Sequence, residues 1–99
     1  MYQPTIDPQE ARALVTQGAQ LVDVRSAQEY RNRALPGSIN IPLPVIQHAL
    51  KQLDREAPVL LYCTSGQRSG VAKRVLEACG FTRVYNLGSY TVFSDGRKQ

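Results

Sequence analysis

The stretch Val59-Leu60-Leu61-Tyr62-Cys63-Thr64-Ser65-Gly66-Gln67-Arg68-Ser69-Gly70-Val71-Ala72 decides how this chain folds. Its first four residues are apolar without alternation, as in a strand buried on both faces. Its end opens a run in which Val71, Ala72, Val75, Leu76 and Cys79 mark one face of a helix that Gly80 closes. Between them lies a short polar loop, Cys63 to Arg68. A buried strand, a tight loop and a helix in that order form part of a parallel α/β unit, so the flanking sequence has to supply further strands and helices.

It does. Towards the N-terminus, Asp7-Pro8-Gln9-Glu10 reads as a helix start, with Asp7 as cap, Pro8 in the first turn and Glu10 completing a capping box. Ala11, Leu14 and Val15 give that helix its apolar face and Gly18 stops it. Leu21-Val22-Asp23-Val24 reads as a short buried strand. Ser26 and Glu29 form a second capping box and open a brief helix through Tyr30 and Arg31. Pro36-Gly37-Ser38 is a turn and Ile39-Asn40-Ile41 a short strand. Beyond Pro42 and Pro44, the residues Val45, Ile46, Ala49, Leu50 and Leu53 recur with helical period. Past the central unit, Val84-Tyr85-Asn86-Leu87 is a last strand ended by Gly88, and Ser94 to Gln99 is a polar tail expected to fray. Tyr90 and Phe93 are expected to pack that tail. The alternation predicts an α/β fold whose parallel sheet is covered on both faces.

Length and composition narrow the function. Ninety-nine residues suit a single domain spanning 1–99. Hydrophobic content of 42% and charged content of 20% exclude a disordered chain, a fibrous repeat and a membrane span. The net charge of +4 comes from dispersed residues, and aromatics are only 7% with no Trp, so the basic stripe of a nucleic-acid binder is missing. A small anionic substrate accounts for the surplus. Two cysteines without a CxxC pair, and His48 as the sole histidine, predict neither a disulfide scaffold nor a metal site. His48 lies beside the apolar row of its segment, an edge position. Met1-Tyr2-Gln3-Pro4 lacks a charged-then-apolar leader, which predicts a cytoplasmic chain, or a periplasmic one had a signal peptide been removed.

In parallel sheets ligands bind beyond the carboxyl ends of the strands. Two such ends stand out, Asp23-Val24-Arg25 and Cys63. A loop curling into a helix start aims backbone N–H groups inward, and the helix dipole adds positive potential. A thiolate at the centre is stabilised, so the Cys63 thiol is expected below its free value. Gly66 lets the loop curl, Thr64 and Ser65 offer hydroxyls, and Arg68 brings fixed positive charge. Taken singly, a cysteine ending a strand is a small core residue, Gly66 a turn residue and Arg68 a surface charge; the combination points to a reactive thiol. Cys79, at helical spacing from Val75 and Leu76, reads as core. Asp23 and Arg25 read as structural, with Glu29 as the ion-pair partner of Arg25.

Leu21-Val22-Asp23-Val24-Arg25, then Glu29-Tyr30, then Leu35-Pro36-Gly37-Ser38-Ile39-Asn40-Ile41-Pro42, then the Cys63 to Ser69 loop, then Gly80-Phe81 before Val84 to Gly88, together resemble a rhodanese domain of the small, phage-shock type. The likeness covers residues 5–90. It implies a three-layer fold with a central parallel sheet of about five strands and helices on both faces. It further implies a thiosulfate sulfurtransferase in which Cys63 carries a sulfane sulfur as a persulfide, with Thr64, Ser65, Gly66, Gln67, Arg68 and Ser69 as the anion cradle and Asp23, Arg25 and Glu29 in support. No metal or organic cofactor is implied. The partners would be a small anionic sulfur donor and a thiol or dithiol acceptor, for instance a thioredoxin-like carrier, with cyanide serving in an assay. Such a chain would be a monomer or weak dimer and bind neither nucleic acid nor membrane. The chain departs from the family where Arg33-Ala34-Leu35 replaces a Gly-His, and where Gly88-Ser89 replaces a Gly-Gly with no later Trp. Two other readings stand beside this one. A non-catalytic rhodanese-like module would keep the fold without the chemistry. A phosphatase or arsenate reductase would need Cys-x5-Arg, and Ser69 occupies the position where that arginine falls.

Overall fold

The computed structural model describes residues 4–96. The leader reading of Met1 to Gln3 and the end of the polar tail, Arg97 to Gln99, lie outside them. Four helices form: α1 (Pro8–Thr16), α2 (Ala27–Asn32), α3 (Gln67–Ala78) and α4 (Thr91–Gly96). Four strands, β1 (Gln20–Asp23), β2 (Ile39–Asn40), β3 (Val59–Cys63) and β4 (Val84–Ser89), join in one parallel sheet of order β2-β1-β3-β4. The most apolar strand, β3, therefore lies inside the sheet, and all five of its residues are buried.

That burial explains the unbroken apolar run. Side chains alternate across a strand. Val59, Leu61 and Cys63 enter one core, with Val22, Val24, Ile41, Ile46, Ala72 and Leu76. Leu60 and Tyr62 enter the other, with Ala11, Leu21, Leu35, Leu87 and Phe93. The three layers expected from the resemblance are thus present: α3 with the segment after β2, the sheet, and α1 with α4. The buried aliphatic side chains each contribute roughly 1.5–3 kcal/mol of transfer free energy.

Local chemistry starts α1 and α2 at the residues read, except that Glu10 does not close the box expected with Asp7. The Asp7 carboxylate accepts from the Gln9 and Glu10 amides at 3.0 and 3.3 Å. A full reciprocal box forms at α2, where Ser26 Oγ accepts the Glu29 amide at 3.2 Å and Glu29 Oε1 accepts the Ser26 amide at 3.0 Å.

Four details differ from the sequence reading. The sheet has four strands among the described residues, not about five; the segment before α1 runs along β4 but gives it a single backbone bond, Ile6 N–H to the Asn86 carbonyl at 2.9 Å. The helical period after Pro42 is realised as two 3₁₀ turns, Leu43–His48 and Leu50–Gln52. Prolines at 42 and 44 remove amide donors from its first turn, and Ala49, at φ −117°, separates the two pieces. Cys79 is only half-buried, because it closes α3 instead of lying on its inner face. Ser94, the first residue of the expected tail, falls within α4, and Phe93 is buried as packing.

No helix among the described residues is long and apolar enough to cross a membrane.

Candidate active site

β3 ends at Cys63 and α3 begins at Gln67, so the chain reverses within Thr64-Ser65-Gly66. The reversal needs Gly66 at φ +94°, a left-handed conformation that side chains resist. Gly66 also lies so close to β4 that a Cβ on it would stand 3.3 Å from the Gly88 Cα. Gly88 is itself at φ +97°, where the strand passes the loop.

This turn folds the backbone over the sulfur. The Gly66 amide donates to Cys63 Sγ at 3.0 Å, and Ser69 Oγ lies 3.4 Å from the same atom. Burial pushes the Cys63 thiol up. The donors at Ser69, hydroxyl and amide, and the amides of Gly66 and Ser65 outweigh that, leaving the thiol below its ordinary value. Cys63 and Ser69 are fully buried, whereas Thr64, Ser65 and Gln67 are exposed.

Arg68 does not reach towards the sulfur as a free charge. Its Nη1 and Nη2 grip Glu29 Oε1 and Oε2 at 2.8 and 3.1 Å, and Nη2 lies 3.4 Å from Thr64 Oγ1. The Arg68 guanidinium, with help from the Ser26 amide, holds the Glu29 carboxyl down at about 2. This overturns the expected pairing of Glu29 with Arg25. The partner of Arg25 is Asp23: Nη2 to Oδ2 is 2.7 Å, and Nε stands 3.1 Å from both carboxylate oxygens. Residues two apart on an extended backbone face the same way, which places Asp23 ahead of Glu29 for this bond. The pair is buried, raises the Arg25 pKa, and is closed by the Arg33 carbonyl and by the Tyr90 ring, whose centroid is 4.7 Å from the guanidinium carbon. Asn40 Nδ2 then donates to the Asp23 and Arg25 carbonyls at 3.0 and 2.9 Å, tying β2 to this strand end.

Two features escaped the sequence reading. One is Asn86, buried in β4. Its Oδ1 accepts the Ser69 hydroxyl at 2.6 Å and the Gly88 amide at 3.0 Å, while Nδ2 donates to the Gly66 carbonyl at 3.0 Å. A register shift puts it there: Leu61 pairs with Asn86 but Tyr62 pairs with Gly88, so β4 carries one extra residue beside the site. A polar side chain inside an otherwise apolar strand was the available signal. The other is Tyr62, whose hydroxyl accepts the Leu35 amide at 3.0 Å and sits 3.1 Å from Ser38 Oγ, fixing the Pro36-Gly37 turn. Burial raises the Tyr62 pKa.

No cluster of three or more His, Cys, Asp or Glu among the described residues is placed to hold a metal ion. A groove of about 360 Å³ lined by Ile6, Glu10, Ala13, Leu14 and Tyr85 does not include the loop.

A parallel α/β domain with one buried cysteine beneath the amides of a strand-to-helix loop defines a class of proteins that carry a loop cysteine with a lowered thiol pKa. Within it, the model of the rhodanese-like domain matches residues 7–95, and this chain belongs to that family. Thiosulfate sulfurtransferase GlpE of Pseudomonas savastanoi is 35% identical over 82 residues, 83% of this chain and 77% of the relative. Thiosulfate sulfurtransferase PspE of Escherichia coli is 36% identical over 69 residues, 68% of this chain and 66% of the relative. The match covers 55% of one curated relative's own length, and as little as 13% of another's. The human single-domain sulfurtransferase TSTD1 superposes with a TM-score of 0.79 at 28% identity, covering 97% of both chains.

Proposed function

We propose that this protein is a sulfurtransferase that moves a sulfane sulfur from thiosulfate or a similar donor to a thiophilic acceptor through a persulfide on Cys63. The observation that carries the reading is the Gly66 amide 3.0 Å from Cys63 Sγ, with the other loop donors lowering the thiol. Relatives named for thiosulfate sulfurtransfer support the donor class.

In the first step the Cys63 thiolate attacks the outer sulfur of thiosulfate. A new S–S bond forms, the old one breaks, and sulfite leaves with the electron pair. The persulfide anion then occupies the space beneath the loop amides, which stabilise it as they stabilise the thiolate. In the second step an acceptor thiolate attacks the outer persulfide sulfur and Cys63 departs as thiolate. Cyanide serves as acceptor in an assay, and a thiol or dithiol, such as a thioredoxin-like carrier, in the cell.

The phosphatase reading is disfavoured because Ser69 stands where its arginine would fall and the neighbouring Arg68 cannot stand in, its fork being held bidentately by Glu29. Intact-mass spectrometry after thiosulfate exposure tests the proposal. The expected result is one added sulfur, mapped to Cys63 and missing from Cys63→Ser. An unmodified wild-type protein would leave the non-catalytic module standing instead.

A further inference from the structure

Asn86 is 2% exposed and every polar atom of its side chain is engaged. Its orientation is fixed by its neighbours, since the Gly88 amide can only donate and the Gly66 carbonyl can only accept. Oδ1 therefore faces Ser69. A serine hydroxyl has one proton to give, and at 2.6 Å that proton is given to Asn86. On its other side, 3.4 Å away, Ser69 Oγ then shows lone pairs to Cys63 Sγ. Lone pairs suit a thiol, which can donate to them, and oppose a thiolate.

We infer that Asn86 is a positioning residue that competes with the Cys63 sulfur for the Ser69 proton, so that Ser69 is a two-position switch thrown by the charge on the sulfur. The inference rests on Cys63 being the reacting thiol. In the thiol state, Cys63 S–H donates to Ser69 Oγ and Ser69 O–H donates to Asn86 Oδ1. When the thiol proton leaves to solvent, or when an acceptor expels Cys63 as thiolate, the hydroxyl turns to the sulfur and Asn86 Oδ1 keeps the Gly88 amide. A hydrogen bond to an ionised partner outweighs a neutral one, so the turn is favourable only once the charge is present. Charges nearby are already committed. Arg68 on α3 is tied to Glu29 on α2, and Arg25 at the end of β1 is tied to Asp23 beneath Tyr90. His48, in the 3₁₀ segment packed on α3, is exposed; Tyr62 points into the opposite core; and β4 offers the neutral Asn86.

The test uses full-length protein carrying Cys79→Ser, so that Cys63 is the one thiol observed. The infrared S–H stretch, recorded at a pH where the thiol is protonated, is expected at lower frequency with Ser69 present than in Ser69→Ala. An identical band in both would overturn the inference. Alkylation of Cys63 by iodoacetamide is then followed against pH for Asn86→Leu, Ser69→Ala and the double variant. With Ser69 present, Asn86→Leu is expected to raise the rate at neutral pH by about fivefold, the size of one neutral hydrogen bond; without Ser69 that gain disappears. An equal effect in both backgrounds, or none, counts against the switch. If Asn86→Leu fails to fold, Asn86→Ala replaces it in the alkylation series with the same expected and overturning results, the infrared comparison testing the Cys63–Ser69 bond by itself. A missing persulfide would refute the sulfurtransferase reading while leaving both of these measurements interpretable.

Discussion

The ends of β1 and β3 stand side by side on the same margin of the sheet, and both bury polar groups, yet they are built for opposite outcomes. At the end of β1 two full charges meet: Asp23 and Arg25 are almost wholly buried and satisfy each other, with the Arg33 carbonyl and the Tyr90 ring completing the shell. At the end of β3 the sulfur's hydrogen-bonding neighbours are neutral. Cys63 meets partial charges from an amide and a hydroxyl, and the Arg68 guanidinium at the start of α3 is held by Glu29. A buried ion pair is complete and inert. A ring of dipoles around a lone sulfur is incomplete until an anion forms there, which is what the proposed passage between thiol, thiolate and persulfide would need.

The comparison breaks most severely if Cys63→Ser retains sulfur transfer. The variant is expected to fall to background in a thiosulfate–cyanide assay while keeping its thermal transition, because serine fits the site and lacks an accessible anion. Asp23→Ala should do the reverse. It strands Arg25 in the interior and should cost roughly 3–5 kcal/mol in urea denaturation, against an ordinary total of about 5–15 kcal/mol for a domain. Gly66→Ala comes next. It forces a Cβ into the left-handed region and towards the Gly88 Cα, at a cost of about 1–3 kcal/mol, and should slow Cys63 alkylation by misaiming the amide that touches the sulfur.

The smallest effect belongs to Glu29 and Arg68. Both side chains are more than a third exposed, so the pair should contribute no more than about 1 kcal/mol. Its sign with pH is definite. The folded Glu29 carboxyl titrates at about 2 against an ordinary 4.5, so its stabilisation is complete above pH 4.5 and fades as the pH falls towards 2. Glu29→Gln should flatten that part of the acid-unfolding curve. It should also blur the contrast between the two strand ends, since an unclaimed Arg68 would bring a full positive charge to bear on Cys63 and lower its thiol further.

How much of this was legible follows from the range of each interaction. The four strands, the Asp7 and Ser26 caps and the loop before α3 are written in contiguous residues, where periodicity and capping chemistry act over a few positions. Arg25 stands two residues from Asp23 and four from Glu29, and which of them it meets depends on whether the backbone after β1 is still extended, as it is, or already helical. Glu29 and Arg68 meet only once α2 and α3 converge on the same sheet margin, and nothing local announces it. The 3₁₀ segment misled because Val45, Ile46, Ala49 and Leu50 keep a period close to that of an α-helix while Pro42 and Pro44 withhold the amides. Asn86 reaches the loop through the extra residue in β4, a shift of register that no run of hydrophobicity encodes.

The near-contact of Gly66 with Gly88 carries a consequence for how such a chain can vary. Both positions already hold the smallest residue, so neither can retreat to make room for growth in the other. Compensation, the usual escape from a bad substitution, is closed at this seam. Saturation of the two codons together should return glycine at both among variants that still react at the thiol, even where the rest of the loop drifts freely.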